Sequence, residues 1–322
     1  AVKFHLSEDT QMLEISVQTA CWWNESDPEG SFRFIKERGF EAVDYNMDNH
    51  LPADRIPKGD LTTFFDQSVE ELIEYYRPIK AAADKYGIRF AQMHGPFPMF
   101  VKDRDDINEY VLMATEKCLK VAKFLECPAV VVHPVKRSTK EKERACNLAI
   151  YRALMPTAKR TGVKVCLENL FGGYKSHVLE GPCSDAEEAC WYLDLLNEEA
   201  GEECFGFCFD VGHANLVGRN MRKYLNILGK RLTILHIHDN DGTTDSHMMP
   251  FTQVYKWGTK FYTDWDGLIE GLRDIGYTGA LNFETFRVLC TFPASTKSEV
   301  LSLIAAIGRE FKARMLAPKE EN

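Results

Sequence analysis

The chain has 322 residues, 45% hydrophobic and 27% charged, with a formal net charge of −9. This is an ordinary globular balance, and the length suits two average domains or one α/β barrel. No run of about 18 uncharged apolar residues exists, which excludes a helical membrane span, and the acidic total with scattered Lys and Arg argues against a nucleic-acid partner.

The opening AVKFHLSEDTQ carries no apolar leader core, so a cytoplasmic protein is expected. There are ten cysteines and no CxxC, and Cys118, Cys166, Cys190 and Cys208 fall inside apolar patterns. Small buried thiols are therefore expected rather than a disulfide framework.

Strand and helix patterns alternate from end to end. LEISVQTA (13–20) reads as a first strand, followed by a helix over 30–38 and a second strand at 41–48. After a loop over 49–66 comes a helix over 69–86, with Leu72, Tyr75, Tyr76 and Ile79 at helical spacing. The third strand ends at His94 and the fourth at His133, separated by a helix over 110–124. A helix over 140–161 stops at Gly162, well placed as a left-handed cap. The fifth strand ends on Glu168 and Asn169, and SDAE at 184–187 opens the next helix as a cap with acids in its first turn.

The sixth strand leads into FCFDVGHAN (207–215). With period 2, Phe205, Phe207 and Phe209 face one way and Gly206, Cys208 and Asp210 the other. A helix over 221–228 leads to LTILHIHDN, whose parity sends both His236 and His238 inward. A long loop, a helix ending at Gly276, GALNFET ending at Glu284, and a helix over 297–315 complete the chain. Eight strands each followed by a helix imply a single (β/α)₈ barrel domain over 1–322 in the α/β class. A doubly wound open sheet lacks a GxGxxG or P-loop here.

In such a barrel the C-terminal strand ends converge on one face. The polar residues there are His94, His133, Glu168, Asp210, His213, His236 or His238, and Glu284, with Asp245 and His247 just beyond. A lone histidine is most simply a satisfied core residue. Carboxylates are seldom buried without a partner, and Lys164 and Arg287 do not supply one for every acid. Mixed oxygen and imidazole donors suit one divalent ion, Mn²⁺, Zn²⁺, Co²⁺ or Mg²⁺. Asp239 could orient a ligating imidazole.

HGPFP at His94, VVHP at His133, CLEN at Glu168, FDVGHAN at Asp210, LHIHDN at His236 and LNFE at Glu284 together resemble the xylose-isomerase-like barrel superfamily. That superfamily holds sugar-phosphate isomerases and epimerases and the endonuclease IV group. The resemblance implies a metal held by Glu168, Asp210, His236 and Glu284, with the HxxD form of the strand-seven motif favouring His236 over His238. It implies isomerisation or epimerisation of a small sugar through a metal-stabilised enediolate, with Glu168 and Glu284 as the catalytic acid–base pair. His94, His133, His213, His238 and Trp257 would bind substrate.

A dehydratase acting on a cyclic polyol could use the same metal, and a non-catalytic sugar-binding barrel is a further reading. Abasic-site hydrolysis with three zinc ions could draw on the nine strand-end ligands, including Asp245 and His247. Two departures stand out. The 248–263 loop is long enough for a lid carrying Trp257, Phe261 and Tyr262, and Tyr174 stands where ketose epimerases often carry an acid. Lys175, Lys256, Lys260 and Arg287 are the candidate phosphate contacts, and aromatic-rich loops at the barrel mouth leave a homo-oligomer open.

Overall fold

The computed structural model describes residues 13–256, 258 and 260–318. Eight parallel strands form its barrel: β1 Ile15–Gln18, β2 Ala42–Asn46, β3 Arg89–His94, β4 Ala129–Val131, β5 Lys164–Glu168, β8 Phe205–Asp210, β9 Leu232–His236 and β12 Leu281–Phe283. Between them lie two antiparallel hairpins, β6 Phe171–Tyr174 with β7 His177–Glu180, and β10 Val254–Tyr255 with β11 Lys260–Phe261. The ring closes where Ile237 bridges Phe283, with Ile237 N–H donating to Asn282 O at 2.8 Å and Glu284 N–H to Ile237 O at 3.1 Å.

The helices are α1 Pro28–Lys36, α2 Val69–Tyr86, α3 Asp105–Phe124, α4 Lys140–Thr161, α5 Ala186–Ala200, α6 Val211–Leu216, α7 Met221–Leu228, α8 Trp265–Asp274, α9 Phe286–Thr291 and α10 Lys297–Leu316. Local chemistry sets their ends. Ser68 and Glu71 form a capping box on α2, and Gly162 ends α4 at φ 72°. Asp185, rather than the expected Ser184, caps α5 through Glu187 and Glu188 N–H. Helix α3 starts five residues before the sequence expectation, with Asp105 and Asp106 facing the positive end of its dipole. No helix among the described residues is long and apolar enough to cross a membrane.

The alternation in β8 separates two cores. Phe205, Phe207 and Phe209 join the large apolar layer between barrel and helices, where Phe209 lies 5.1 Å from the Tyr224 ring. Cys208 packs inside the barrel with Ala129, Val131, Cys166 and Ile234. Burying such side chains contributes about 1.5–3 kcal/mol each for the larger ones. The interior is partly polar on its other side: Ser16 donates to Asn282 Oδ1 at 2.9 Å, and Asn282 and Gln92 donate to Asp44 Oδ2 at 3.0 and 3.1 Å. This network fixes a fully buried carboxylate beneath the barrel mouth.

One expectation about thiols changes. Cys21 and Cys290 form a disulfide joining the segment after β1 to α9, while eight cysteines are free and seven of those are buried. The pair is 269 residues apart in sequence, so only closure of the barrel brings it together.

Candidate metal centre and active site

Every acid and imidazole expected at the strand ends comes to one rim; Trp257, expected to bind substrate, lies outside the described residues. His94, Glu168, Asp210 and His236 are the last residues of β3, β5, β8 and β9. Glu284 follows β12 directly, His133 lies two residues past β4, and His213 sits in the first turn of α6. Asp210 also caps α6, accepting His213 N–H on Oδ1 at 2.6 Å. The Asp-x-x-His spacing thus places both side chains in the same site.

His236 is the centre of this arrangement. It is fully buried, and neither ring nitrogen has a hydrogen-bond partner. Its Nδ1 lies 3.5 Å from Glu168 Oε1, 3.7 Å from Asp210 Oδ2 and 3.4 Å from Glu284 Oε2. A buried imidazole without a partner is costly. Here it is ringed by carboxylate oxygens at distances suited to sharing a cation, and the donor set fits a hard or borderline divalent ion.

The partners of these groups are also ordered. Gln18 Nε2 donates to Glu284 Oε1 at 2.7 Å. Asp44 Oδ1 lies 2.9 Å from His94 Nδ1, leaving His94 Nε2 3.4 Å from Glu284 Oε1. His133 Nε2 approaches Glu168 Oε2 at 2.9 Å. His213 Nδ1–H donates to Asn169 O at 2.9 Å and His247 Nδ1–H to Glu284 O at 3.1 Å. Since a carbonyl only accepts, each of these rings turns Nε2 inward, at 3.5 and 3.0 Å from Asp245 Oδ2. His238 Nε2 lies 3.1 Å from Asp210 Oδ1 and 3.8 Å from Asp245 Oδ1. Asp245 and His247 therefore belong to the same continuous cluster.

The electrostatics follow from this crowding. Burial pushes the Glu168 carboxyl upward, but facing His133 and His236 it is held well below the usual range. Glu284 is likewise pushed up by burial and brought well below by His236 and His247. Asp210 is lowered to about 2, because His213 and His238 outweigh its burial. Burial pulls the His236 imidazole down, yet Glu284 and Glu168 raise it to about 10, and Asp210 does the same for His238, to about 9. Protons on imidazoles thus balance the acids, a role a divalent cation can take.

A cavity of about 650 Å³ opens onto the site. His94, His133, His213, Glu168 and Glu284 line it, together with Asp48, Asp245 and His247. His238 is fully buried behind that surface and reaches the site through Asp210. Neither Phe261 nor Tyr262, expected in a lid, lines the cavity. Phe261 packs 5.1 Å from Phe251, whose ring meets Trp265 at a tilt and Phe311 edge-on in the outer layer.

Asp239 also departs from its expected role of orienting an imidazole. Its carboxylate instead accepts Thr252 N–H, Gln253 N–H and the Thr263 hydroxyl, pinning the long loop. Gln18 and Asp44 join the site although Gln18 is uncharged and Asp44 lies within β2 rather than at its end. Strand parity held the signal, because Ala42 and Asp44 face the same side of β2.

The xylose isomerase-like TIM barrel family model matches residues 32–305. An inosose isomerase of Bacillus velezensis is 24% identical over 282 residues, covering 85% of this chain and 89% of that protein. Protein y4fM of Sinorhizobium fredii, uncharacterised, is 36% identical over 97 residues, and the match spans only 29% of either chain. Among solved structures, IOLI protein with a bound zinc atom superposes with a TM-score of 0.66 at 18% identity, covering 95% of this chain and 100% of that one. A D-tagatose 3-epimerase-like protein gives 0.63 at 20%, covering 92% and 98%. The family match spans most of the chain and includes every strand-end acid and imidazole, and this chain belongs to the xylose isomerase-like TIM barrel family.

Proposed function

We propose that this chain is a divalent-metal-dependent isomerase or epimerase of a small sugar or sugar-like polyol. The observation that carries the reading is His236, buried, with neither nitrogen hydrogen-bonded, three carboxylates within 3.7 Å of Nδ1 and Asp44 Oδ2 3.6 Å from Nε2. Glu168, Asp210, His236 and Glu284 would hold the ion. Once bound, it would act as a Lewis acid, polarising the substrate's carbonyl and hydroxyl oxygens as charge develops there.

The chain's own groups do the proton work. Glu168 and Glu284 reach the site from β5 and the end of β12, with β8 and β9 between them around the ring, and both are held ionised at neutral pH in the free site. One takes the proton beside the carbonyl; the other first takes up a proton from the imidazole beside it, His133 Nε2 at 2.9 Å for Glu168 or His94 Nε2 at 3.4 Å for Glu284, and returns that proton to the opposite face. Gln18 holds the Glu284 carboxylate in place at 2.7 Å, and His133 does so for Glu168 at 2.9 Å. His94, His133 and His213 present polar edges to substrate hydroxyls in the cavity, with His238 steadying Asp210 from behind. The relatives named inosose isomerase support an isomerase on a cyclic polyol as readily as on a ketose, and a dehydratase could use the same acid–base pair.

Deuterium wash-in from heavy water tests this. A panel of ketoses and an inosose should exchange their α-proton with metal-loaded protein, stop after chelation, and resume when Mn²⁺ or Zn²⁺ returns. Exchange that survives full chelation would refute the metal reading.

The crowding of Asp210, His213, His238, Asp245 and His247 favours a second reading, in which a further ion sits beside the first. Metal analysis yielding two ions per chain rather than one would establish it. Cleavage of an abasic DNA duplex by the loaded protein would turn the reading toward hydrolysis.

A further inference from the structure

Asp48 stands outside the metal cluster and has no part in the proton transfers. It lies on the short turn Met47–Asn49 after β2, and its side chain lines the cavity. Its backbone N–H donates to Asn46 Oδ1 at 2.8 Å, yet the buried carboxylate Oδ1 has no hydrogen-bond partner. Burial pushes this carboxyl up to about 6, only partly offset by His94 and His133. A buried acceptor facing a cavity without a donor is costly, and a ligand hydroxyl would relieve it.

The rest of the cavity says which ligand. Its lining acids are Asp48, Glu168, Asp245 and Glu284; the lining imidazoles His94, His133, His213 and His247 already face Glu284, Glu168 and Asp245, and Lys136 is the one lysine or arginine on its wall among the described residues. The Lys136 ammonium donates to Glu180 O at 2.7 Å. Lys175, Lys256, Lys260 and Arg287 do not line the cavity. A phosphate, carrying roughly −1.5 to −2 charges and three strong acceptors, would meet acids and lack the guanidinium or ammonium cluster that binds it elsewhere. Phe97, Phe100, Phe171 and Phe286 supply apolar walls suited to the C–H faces of a sugar ring.

We propose that the cavity selects an uncharged, polyhydroxylated sugar or cyclic polyol over its phosphorylated counterpart, with Asp48 as a specificity residue accepting a hydrogen bond from a substrate hydroxyl. This rests on the isomerase reading and names its substrate class. Glu168 and Glu284 act at the carbon being deprotonated, and Asp48 holds another part of the same molecule.

Isothermal calorimetry of Mn²⁺-loaded protein with D-fructose and D-fructose 6-phosphate tests it. Wild type should bind the neutral sugar at least ~10-fold more tightly than the phosphate. Asp48→Ala should weaken D-fructose ~10-fold, the size of a hydrogen bond to a charged group. Asp48→Asn, which keeps an acceptor and removes the charge, should retain most of the D-fructose affinity and narrow the gap to the phosphate. Manganese content and melting temperature should match wild type in both variants, separating a substrate contact from a structural one.

Equal or tighter binding of the phosphate by wild type, binding of neither sugar, or unchanged affinity and preference in both variants would each overturn the proposal. Those results leave the metal-dependent exchange test standing. Exchange that survives chelation would remove the isomerase reading whatever Asp48 does.

Discussion

Replacing Glu168 with Gln keeps the shape of the side chain and removes its charge. Glu168 is 1% exposed, with its oxygens 2.9 Å from His133 Nε2, 3.1 Å from His213 Nδ1 and 3.5 Å from His236 Nδ1. At about 4 Å and an effective dielectric near 20, one such pair is worth roughly 4 kcal/mol. Breaking a buried pair by removing one partner costs about 3–5 kcal/mol after desolvation is counted. The metal-free Glu168→Gln protein should therefore melt well below wild type, with bound metal restoring part of the difference.

Catalysis should suffer separately. A positioned acid or base contributes about 10²–10⁴-fold, roughly 3–5 kcal/mol of barrier, so the loaded variant should lose that factor in kcat for α-proton exchange. Circular dichroism melts with and without metal, paired with deuterium wash-in rates, read the two effects independently. A folded Glu168→Gln variant exchanging at near wild-type rate would refute the assignment of the proton to this carboxylate.

Three further outcomes follow from particular contacts. A Cβ on Gly212 would run into the His238 ring, so Gly212→Ala should displace that imidazole and lower metal stoichiometry or affinity in a titration; unchanged binding would show His238 plays no part. Asp239→Ala removes acceptors for Thr252 N–H, Gln253 N–H and the Thr263 hydroxyl. It should cost about 1–3 kcal/mol and speed hydrogen exchange across 248–263, and protection equal to wild type would count against the anchor. Metal-free protein carries His236 and His238 raised to about 10 and 9. A raised folded pKa stabilises fully below the unfolded value near 6.5 and loses that contribution as pH climbs through the folded one. Its melting temperature should fall between about pH 6.5 and 10, and a rise across that window would contradict the arrangement.

Most of the barrel can be read from the chain, because its strands obey period 2 and end on charge. The alternation around Phe207 and Cys208 predicts the outward aromatic layer and the inward thiol, and both are found. What escaped depends on contacts across the sheet. Asp44 lies mid-strand, and Asn282, Gln92 and His94 from other strands make it a tolerable interior acid. Gln18 carries no charge and gives no signal until Glu284 arrives from 266 residues away.

The mouth was least legible. The β6–β7 hairpin and α6 are short insertions whose folding depends on the barrel beneath them. In α6, the cap supplied by Asp210 is also a site carboxylate. Asp239 follows the inward-facing His238 and looks like a ligand's partner in sequence, but its lone pairs are taken by the loop it pins. Asp245 and His247 join the cluster only because that loop turns back over the barrel, ordered by the Asp239–Met248 bridge.

The central claim is that Glu168, Asp210, His236 and Glu284 share one cation. Crystals grown with Mn²⁺ and measured at the manganese absorption edge locate that ion directly. The account predicts an anomalous peak bonded to these four side chains, with His236 contributing a ring nitrogen. A cavity without a peak at saturating Mn²⁺, or an ion that leaves Glu168 and Glu284 out of its coordination, would contradict it.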